Sequence, residues 1–212
     1  MVMRFPSSAA AVATNGWLRS SPLAPVQPLS FYPADTEIYA QGEKIRHLYR
    51  VEFGTVRTYR LLADGRRQIA AFHFPGEVFG LEANGTHHFF AETVSACGIR
   101  VIDSRADAET SRHLLPIALE GLSRAQQHLL VLGRQSAVER LAAFLIDIAE
   151  RQGETDQIDL PMSRTDIGDY LGLTIETVSR AFSRLRAAGL ISLKSLRCIE
   201  IADLNVLRRM TE

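Results

Sequence analysis

The stretch from Ser163 to Leu193 most constrains the fold, because its apolar residues recur at helical spacing in two short blocks separated by a tight turn. These apolar positions are Ile167, Tyr170, Leu171, Val178, Phe182 and Leu185. Between the blocks, Gly172 can take the left-handed conformation that ends a helix, and Thr174 is a suitable N-cap for the next helix. Ser163 and Asp166 have the spacing of a capping box. The stretch therefore predicts a helix-turn-helix.

The second helix of this pair has a polar strip opposite its apolar residues. The strip consists of residues three or four positions apart, which are Glu176, Ser179, Arg180 and Ser183. A recognition helix presents such side chains to base edges in the major groove of DNA. Arginine can donate two hydrogen bonds to guanine, and a carboxylate can accept one from the cytosine amino group. Arg184 and Arg186 follow and suit DNA phosphates. The alternative interpretation is a solvated face on a small helical hairpin.

This hairpin resembles the DNA-binding motif of the Crp–Fnr family of bacterial transcription regulators. The similarity rests on DIGDYLGLT at Asp166–Thr174, followed by ETVSR at Glu176–Arg180. The Glu-x-x-Ser-Arg element is similar to the Fnr branch, and the whole string is most similar to the FixK group. The resemblance extends from about Phe31 to the C-terminus. It implies a homodimeric regulator that binds palindromic sites with half-sites such as TTGAT or TTGAC and activates transcription by contacting RNA polymerase.

The resemblance also implies roles for individual residues. Arg180 is expected to read the guanine of each half-site with help from Ser179, while Glu176 accepts a hydrogen bond from a base and helps to hold the Arg180 guanidinium. The residues predicted to contact bases are Ile175, Glu176, Ser179 and Arg180. The residues predicted to contact the DNA backbone are Ser163, Thr174, Thr177, Arg184, Arg186, Lys194 and Arg197. The last two lie in a polar turn between the alternating runs 189–193 and 198–201, which predict the wing of a winged helix.

Short alternating segments separated by glycine turns occupy the chain from Phe31 to about Asp103. The clearest hairpin signal is the run Val56–Leu61 followed by Ala63-Asp64-Gly65. Regular strands of this kind predict an antiparallel barrel or a jelly roll. The residues LYRV at Leu48–Val51 and PGEVFG at Pro75–Gly80 resemble the cyclic-nucleotide-binding-type sensor domain of the same family. An unrelated small β-domain is the alternative.

The sensor domain departs from the cyclic-nucleotide binders of the family where the resemblance places the cyclic phosphate. Those binders hold the phosphate with an arginine followed by serine or threonine, whereas this sequence has His87-His88 after Gly80-Leu81-Glu82. Neither histidine is a permanent cation at neutral pH, and a buried phosphate without a fixed positive partner is costly. We therefore expect that the protein does not bind cAMP.

The distribution of cysteine and histidine predicts no metal site and no cofactor. Cys97 and Cys198 are the only two cysteines, whereas an iron–sulfur cluster like that of the Fnr oxygen sensors needs several thiolates. Both thiols are expected to be buried and inert. Scattered histidines are more often surface or core residues than ligands of a metal or haem; here they include His47, His73, His87 and His88. The alternative is a regulator of the same family whose sensor domain binds an unidentified small effector or haem.

Leucines recurring every seven residues predict a long dimerisation helix over residues 105–135. The predicted dimer contacts are Leu115, Leu122, Ala125, Leu129 and Leu132. The segment Gly133–Ser136 interrupts the heptads and predicts a hinge, and Ser136 with Glu139 has the spacing of the next helix start. Packing of this helix on its own domain is the alternative interpretation.

Composition restricts the class of protein. Lys+Arg and Asp+Glu both number 24 among 212 residues, so DNA binding requires a local basic surface. The chain has no apolar run long enough to span a bilayer and no secretion signal in its Ala-, Ser- and Pro-rich first 28 residues. We therefore expect a cytoplasmic protein that does not act at a membrane. The sequence has no Ser/His/Asp constellation, phosphate loop or metal motif, which argues against an enzyme.

Together these patterns predict an α+β chain with four parts. They are a flexible arm at 1–28, an antiparallel jelly-roll sensor domain at 29–104, a dimerisation helix at 105–135, and a winged helix-turn-helix DNA-binding domain at 136–212.

Overall fold

The computed structural model describes residues 28–103, 108–134, 136–153, 155–195 and 197–211. The predicted arm therefore lies, apart from Pro28, outside the described residues. The strands of the N-terminal part are β1 (Leu29–Tyr32), β2 (Glu37–Tyr39), β3 (His47–Phe53), β4 (Val56–Leu61), β5 (Arg67–His73), β6 (Val78–Phe79), β7 (Phe90–Thr93) and β8 (Cys97–Asp103). They form two four-stranded antiparallel sheets, in the orders β1-β8-β3-β6 and β2-β7-β4-β5. This pairing confirms the predicted jelly roll.

The two sheets enclose an apolar core, which is formed by the side chains that alternate toward the inner face of each strand. Its buried residues are Tyr39, Val51, Val56, Phe79, Ala91, Cys97 and Ile99. The Cys97 thiol lies 3.2 Å from the Thr55 carbonyl oxygen, and burial raises its pKa. Cys97 is therefore buried as expected. Cys198 is only half-buried, because it lies in the wing, where its sulfur accepts a hydrogen bond from Gln157 Nε2 at 2.9 Å.

Two helices link the sensor domain to the C-terminal domain. They are α1 (Ala108–Leu132) and α2 (Ala137–Arg151). The break between them falls where the sequence predicted a hinge, and Ser136 caps α2 by accepting a hydrogen bond from the Glu139 N–H at 3.1 Å. One side of α1 is held to the sensor domain by an ion pair between Arg124 and Glu77.

The C-terminal part is a winged helix-turn-helix. Its elements are β9 (Gln157–Asp159), α3 (Arg164–Leu171), α4 (Ile175–Ala187), β10 (Ile191–Leu193), β11 (Cys198–Ile201) and α5 (Leu204–Arg209). The three strands pair antiparallel in the order β10-β11-β9. The turn between β10 and β11 contains Lys194, as the sequence predicted for the wing.

The sensor domain and the C-terminal domain share one apolar core. Strand β5 contributes Ile69 and Phe72 to the same buried cluster as the helices of the C-terminal domain. The Phe72 ring lies 6.3 Å from the Phe144 ring of α2 and 5.4 Å from the Tyr170 ring of α3. Helix α3 is thus packed against the sensor sheet as well as against α4.

We expect the side chain of His73, at the end of β5, to make the stability of the protein sensitive to acid. Burial lowers the His73 pKa to about 4; Glu77 opposes that shift, and Arg151 and Arg124 add to it. Its Nε2 lies 3.1 Å from Thr58 Oγ1. The unfolded chain would bind this proton near the ordinary value of 6.5. The contribution of neutral His73 to stability is therefore complete above that value and is lost as the pH falls toward 4.

We expect His73→Gln to reduce the loss of unfolding free energy between pH 6.5 and about 4. Urea unfolding of the wild type and the variant at a series of pH values measures this. An equal loss in both proteins would assign the acid sensitivity to other groups.

Candidate nucleic-acid interface

The two ends of helix α3 are defined by a capping box at its start and by a glycine with positive φ at its end. The Ser163 hydroxyl accepts a hydrogen bond from the Asp166 N–H at 3.0 Å, and Asp166 Oδ2 accepts one from the Ser163 N–H at 3.0 Å. This is the predicted capping box. The helix ends at Gly172, whose φ of 65° lies in the left-handed region. A Cβ at Gly168 would lie 2.6 Å from the Leu173 carbonyl oxygen, so only glycine permits this tight turn.

Helix α4 has one buried and one exposed face. Thr174 caps it by accepting a hydrogen bond from the Thr177 N–H at 3.3 Å. The residues that it buries in the core are Val178, Ala181, Phe182 and Leu185. Its opposite face is exposed at all four residues predicted to contact bases, namely Ile175, Glu176, Ser179 and Arg180. The strip predicted from the sequence is therefore exposed to solvent.

The polar groups on this face are already oriented by the helix itself. The Glu176 pKa is lowered chiefly by its own backbone N–H, then by the Thr174 hydroxyl, and less by the charge of Arg180. The Ser179 hydroxyl donates to the Ile175 carbonyl oxygen at 2.8 Å. The support of the Arg180 guanidinium by Glu176 on DNA stays a prediction, and within the described part of the chain no ion pair joins the two side chains. The physical reason is that the unpaired N–H groups at a helix start attract the carboxylate.

The residues predicted to contact the DNA backbone lie either on α4 and the wing or beside a cavity at the sensor strands. Arg184 and Arg186 are exposed near the end of α4, and Lys194 is exposed on the wing, where it pairs with Glu200 at 2.8 Å. This pairing raises the Lys194 pKa. Thr174 and Thr177 lie at the start of α4. Ser163 and Arg197 instead line a cavity of about 510 Å³ that also contacts the sensor strands.

The exposed face of α1 carries the predicted dimer residues. A stripe of leucines, each more than half exposed, follows this face: Leu115, Leu119, Leu122, Leu129 and Leu130. Ala125 is exposed beside the stripe. Leu132 is half-buried beside Gly172 of the turn, so part of its surface is covered within its own chain. Leu130 was not among the predicted contacts, because it falls outside the seven-residue spacing.

The sensor domain has an aromatic interior at the position discussed for the cyclic phosphate. The His87 ring is buried and stacked on Tyr39 with 3.6 Å between ring centroids, and its Nδ1 lies 3.0 Å from Glu82 Oε1. A cavity of about 430 Å³ opens beside this pair and is also lined by Lys44, Arg46 and Tyr49. His87 is therefore a core residue with a carboxylate partner.

The described ranges contain neither a metal-binding cluster nor a membrane-spanning helix. Among the residues whose placement is given, no group of three or more His, Cys, Asp or Glu side chains is arranged to hold a metal ion. In the same part of the chain, no helix has the length and apolar character needed to cross a membrane.

Sequence reasoning missed a charged contact between the sensor strands and α3. Arg67 of β5 contacts Asp169 at 2.9 Å and Asp166 at 2.5 Å, and Arg57 of β4 contacts Asp166 at 3.1 Å. In the sequence, Asp166 belongs to the capping box and to the family motif, and Arg57 belongs to the alternating run Val56–Leu61, and neither assignment predicts a contact between them. A signal was present in the sequence: Asp169 follows Asp166 by one turn, and the last turn of the helix has no basic residue. Two carboxylates on one side of a helix, without a cation at helical spacing from them on that helix, indicate that the cation comes from another element.

A jelly roll joined by a long helix to a winged helix-turn-helix with an accessible polar strip defines a class, the Crp-like DNA-binding regulators. The chain matches the model of the cyclic nucleotide-binding domain at residues 29–106 and that of the Crp-like helix-turn-helix domain at residues 139–210. It is 51% identical over 193 residues to the nitrogen fixation regulation protein FixK of Rhizobium meliloti, spanning 91% of this chain and 92% of that protein. It is 42% identical to FixK of Azorhizobium caulinodans, over 84% of this chain and 77% of that one.

The solved structures agree with these relatives. The structure of FixK2 from Bradyrhizobium japonicum superimposes with a TM-score of 0.83 at 40% identity, over 89% of this chain and 98% of that one. The regulator TTHB099 of Thermus thermophilus does so with a TM-score of 0.73 at 28% identity, over 86% of this chain and 96% of that one. The chain belongs to the Crp–Fnr family of DNA-binding transcription regulators and to its FixK-like group. Its relatives are transcription regulators, which are not enzymes.

Proposed function

We propose that this regulator binds palindromic operators of the TTGAT or TTGAC type as a homodimer in the cytoplasm and activates transcription by contacting RNA polymerase. The observation that carries the proposal is the accessible strip of α4. Its apolar face is buried at Val178 and Leu185, while Glu176 and Arg180 remain exposed at the other side of the helix. An arginine and a carboxylate in this position are the groups that read guanine and cytosine in the major groove.

The leucine stripe of α1 supports the palindromic site. A two-fold dimer through this helix would present two recognition helices, and such dimers bind half-sites one turn of DNA apart. In an isolated monomer, several large apolar side chains of the stripe are exposed to solvent, including Leu115, Leu122 and Leu129. Contiguous exposed apolar surface of this kind is typical of a protein–protein contact.

The sensor interior supports DNA binding without cAMP. His87 occupies the region expected to hold the phosphate, and it is stacked on Tyr39 and faces the Glu82 carboxylate. The Glu82 carboxylate would repel a phosphate placed against His87. We propose further that no iron–sulfur cluster is used, because Cys97 and Cys198 lie in different domains and cannot supply a four-thiolate site.

We expect the purified protein to shift a palindromic duplex without any added effector, and calorimetry with cAMP to show no heat of binding. A duplex with both half-sites scrambled is the control for sequence preference. DNA binding that appears only after cAMP is added, or saturable cAMP binding at micromolar concentration, would contradict the proposal.

A second candidate, a small effector in the sensor domain, is favoured by the cavity of about 430 Å³ beside Tyr39 and His87. Its walls combine aromatic rings with the cations Lys44 and Arg46, a lining typical of small-molecule sites. Native mass spectrometry of the purified dimer tests it, since a retained effector would add a defined mass.

A further inference from the structure

We propose that Arg67, supported by Arg57, positions the recognition helix by holding α3 against the sensor sheet, so that the sensor domain sets the half-site spacing the dimer accepts. The inference rests on the proposed palindromic DNA binding. It assigns to two sensor-domain arginines a positioning role in DNA recognition.

The charged part of this contact is extensive and mostly buried. Arg67 pairs with Asp169 at 2.9 Å and with Asp166 at 2.5 Å. Arg57 pairs with Asp166 at 3.1 Å and with Glu92 of its own sheet at 3.0 Å. The side chains of Asp166 and Arg57 are only 4% and 8% exposed. Because these charges are removed from water, separating the two surfaces would leave them unpaired or require their rehydration, so the contact has a defined geometry.

Neutral contacts hold the same helix from two sides. The Gln68 side chain of β5 donates to the Asp169 carbonyl oxygen at 2.7 Å. On the other side, His128 of α1 stacks on the Tyr170 ring at 3.8 Å, and its Nε2 lies 2.9 Å from the Tyr170 carbonyl oxygen. Helix α1 carries the leucine stripe. Helix α3 is therefore fixed both to the sensor sheet and to the proposed dimer helix.

A contact that sets the orientation of α3 also sets the orientation of α4, because the turn between the two helices is tightly packed. The Leu173 N–H donates to the Gly168 carbonyl oxygen at 2.9 Å, and there is no room for a Cβ at Gly168. The contact with β5 leaves Glu176 and Arg180 of α4 exposed. The sensor domain therefore constrains the orientation of α4 without covering the face that reads DNA. Such preorganisation lowers the ordering cost of binding two half-sites at once.

A charge reversal with rescue tests this inference. Arg67 and Asp169 are suitable because their side chains are 23% and 25% exposed, and Asp169→Arg leaves the buried pair Arg57–Asp166 in place whereas Arg67→Glu also puts a carboxylate beside Asp166. We expect Arg67→Glu and Asp169→Arg each to weaken binding to the correctly spaced palindrome about 10-fold, as coupled charges in contact do. The double variant should recover the part of that affinity that depends on the pair between positions 67 and 169.

The readout that separates positioning from simple stability is the spacing preference. We expect each single variant to lose discrimination against a palindrome with one extra central base pair while it keeps wild-type affinity for a duplex with one half-site, a combination that a general loss of stability would not produce. The double variant should regain the discrimination. Arg66→Glu is the matched control, because Arg66 is on the same hairpin but pairs with Asp64 of its own turn.

Three results would overturn the inference: single variants with wild-type spacing preference, single variants that bind the palindrome more tightly, or a double variant that recovers nothing. Wild-type protein is measured first on palindromic and scrambled duplexes. A wild type that does not prefer the palindrome would refute the proposed function itself, before any variant is compared.

Discussion

A chain carrying Leu122→Glu and Leu129→Glu is expected to be a monomer in solution and to lose tight binding to the palindrome. In the single chain both leucines are more than half exposed, at 55% and 68% of their surface, so the substitutions remove little packing within the chain. In the proposed dimer they would place four carboxylates in an apolar seam without partners. Each leucine that is no longer buried also forfeits about 1.5–3 kcal/mol of hydrophobic stabilisation. Light scattering measures the oligomeric state, and fluorescence anisotropy with labelled duplex measures the DNA affinity.

The control adds a carboxylate to the same helix away from the centre of the stripe. Gln127 of α1 is exposed, and Gln127→Glu should leave both the dimer and the DNA affinity unchanged. Urea unfolding of both variants and the wild type, at a protein concentration at which all three are monomers, should coincide, which excludes a folding defect. A Leu122→Glu, Leu129→Glu protein that remains a tight dimer would place the dimer contact on another surface.

The helix-turn-helix was predictable because its signals are local in sequence. A capping box needs only Ser163 and Asp166, and the turn needs only a residue such as Gly172 that tolerates a positive φ. The same holds for Ser136, which caps α2 as expected, and for Asp203, which caps α5 by the same local contact. These interactions join residues two or three positions apart, so they are present whenever the chain forms the helix.

The contact between α3 and the sensor sheet was not predictable by the same means. Arg57 and Asp166 are separated by 109 positions, and no local rule relates them. Strand alternation also failed at this point. It assumes that one face of a strand meets solvent, whereas Val56, Arg57 and Thr58 are all buried in succession. Leu132 shows the same limit, because its seven-residue spacing matches the seam although the turn at Gly172 covers part of its surface.

Replacing Arg180 with alanine is expected to cost about 1–3 kcal/mol per half-site and to remove the preference for guanine at the base pair it reads. The side chain lies on the exposed face of α4, one turn after Glu176. Among described residues it has no ion-pair partner to give up on binding. Its charge is therefore available to the bidentate contact with guanine. The affinities of wild type and variant for the palindrome, and for duplexes altered at that guanine, measure both effects.

Lys194→Ala is the comparison that distinguishes base contact from backbone contact. Lys194 is on the wing and is paired with Glu200, so its removal should weaken binding to every duplex and reduce the dependence of log affinity on log salt by about one. Arg180→Ala should instead lower affinity mainly for the intact palindrome. The two variants thus differ in which duplexes they affect, and titrations at several salt concentrations resolve them. If Arg180→Ala weakens all duplexes by one factor and leaves base preference intact, Arg180 is a phosphate contact, and the specificity must come from other residues of the strip, with Glu176 the first to test.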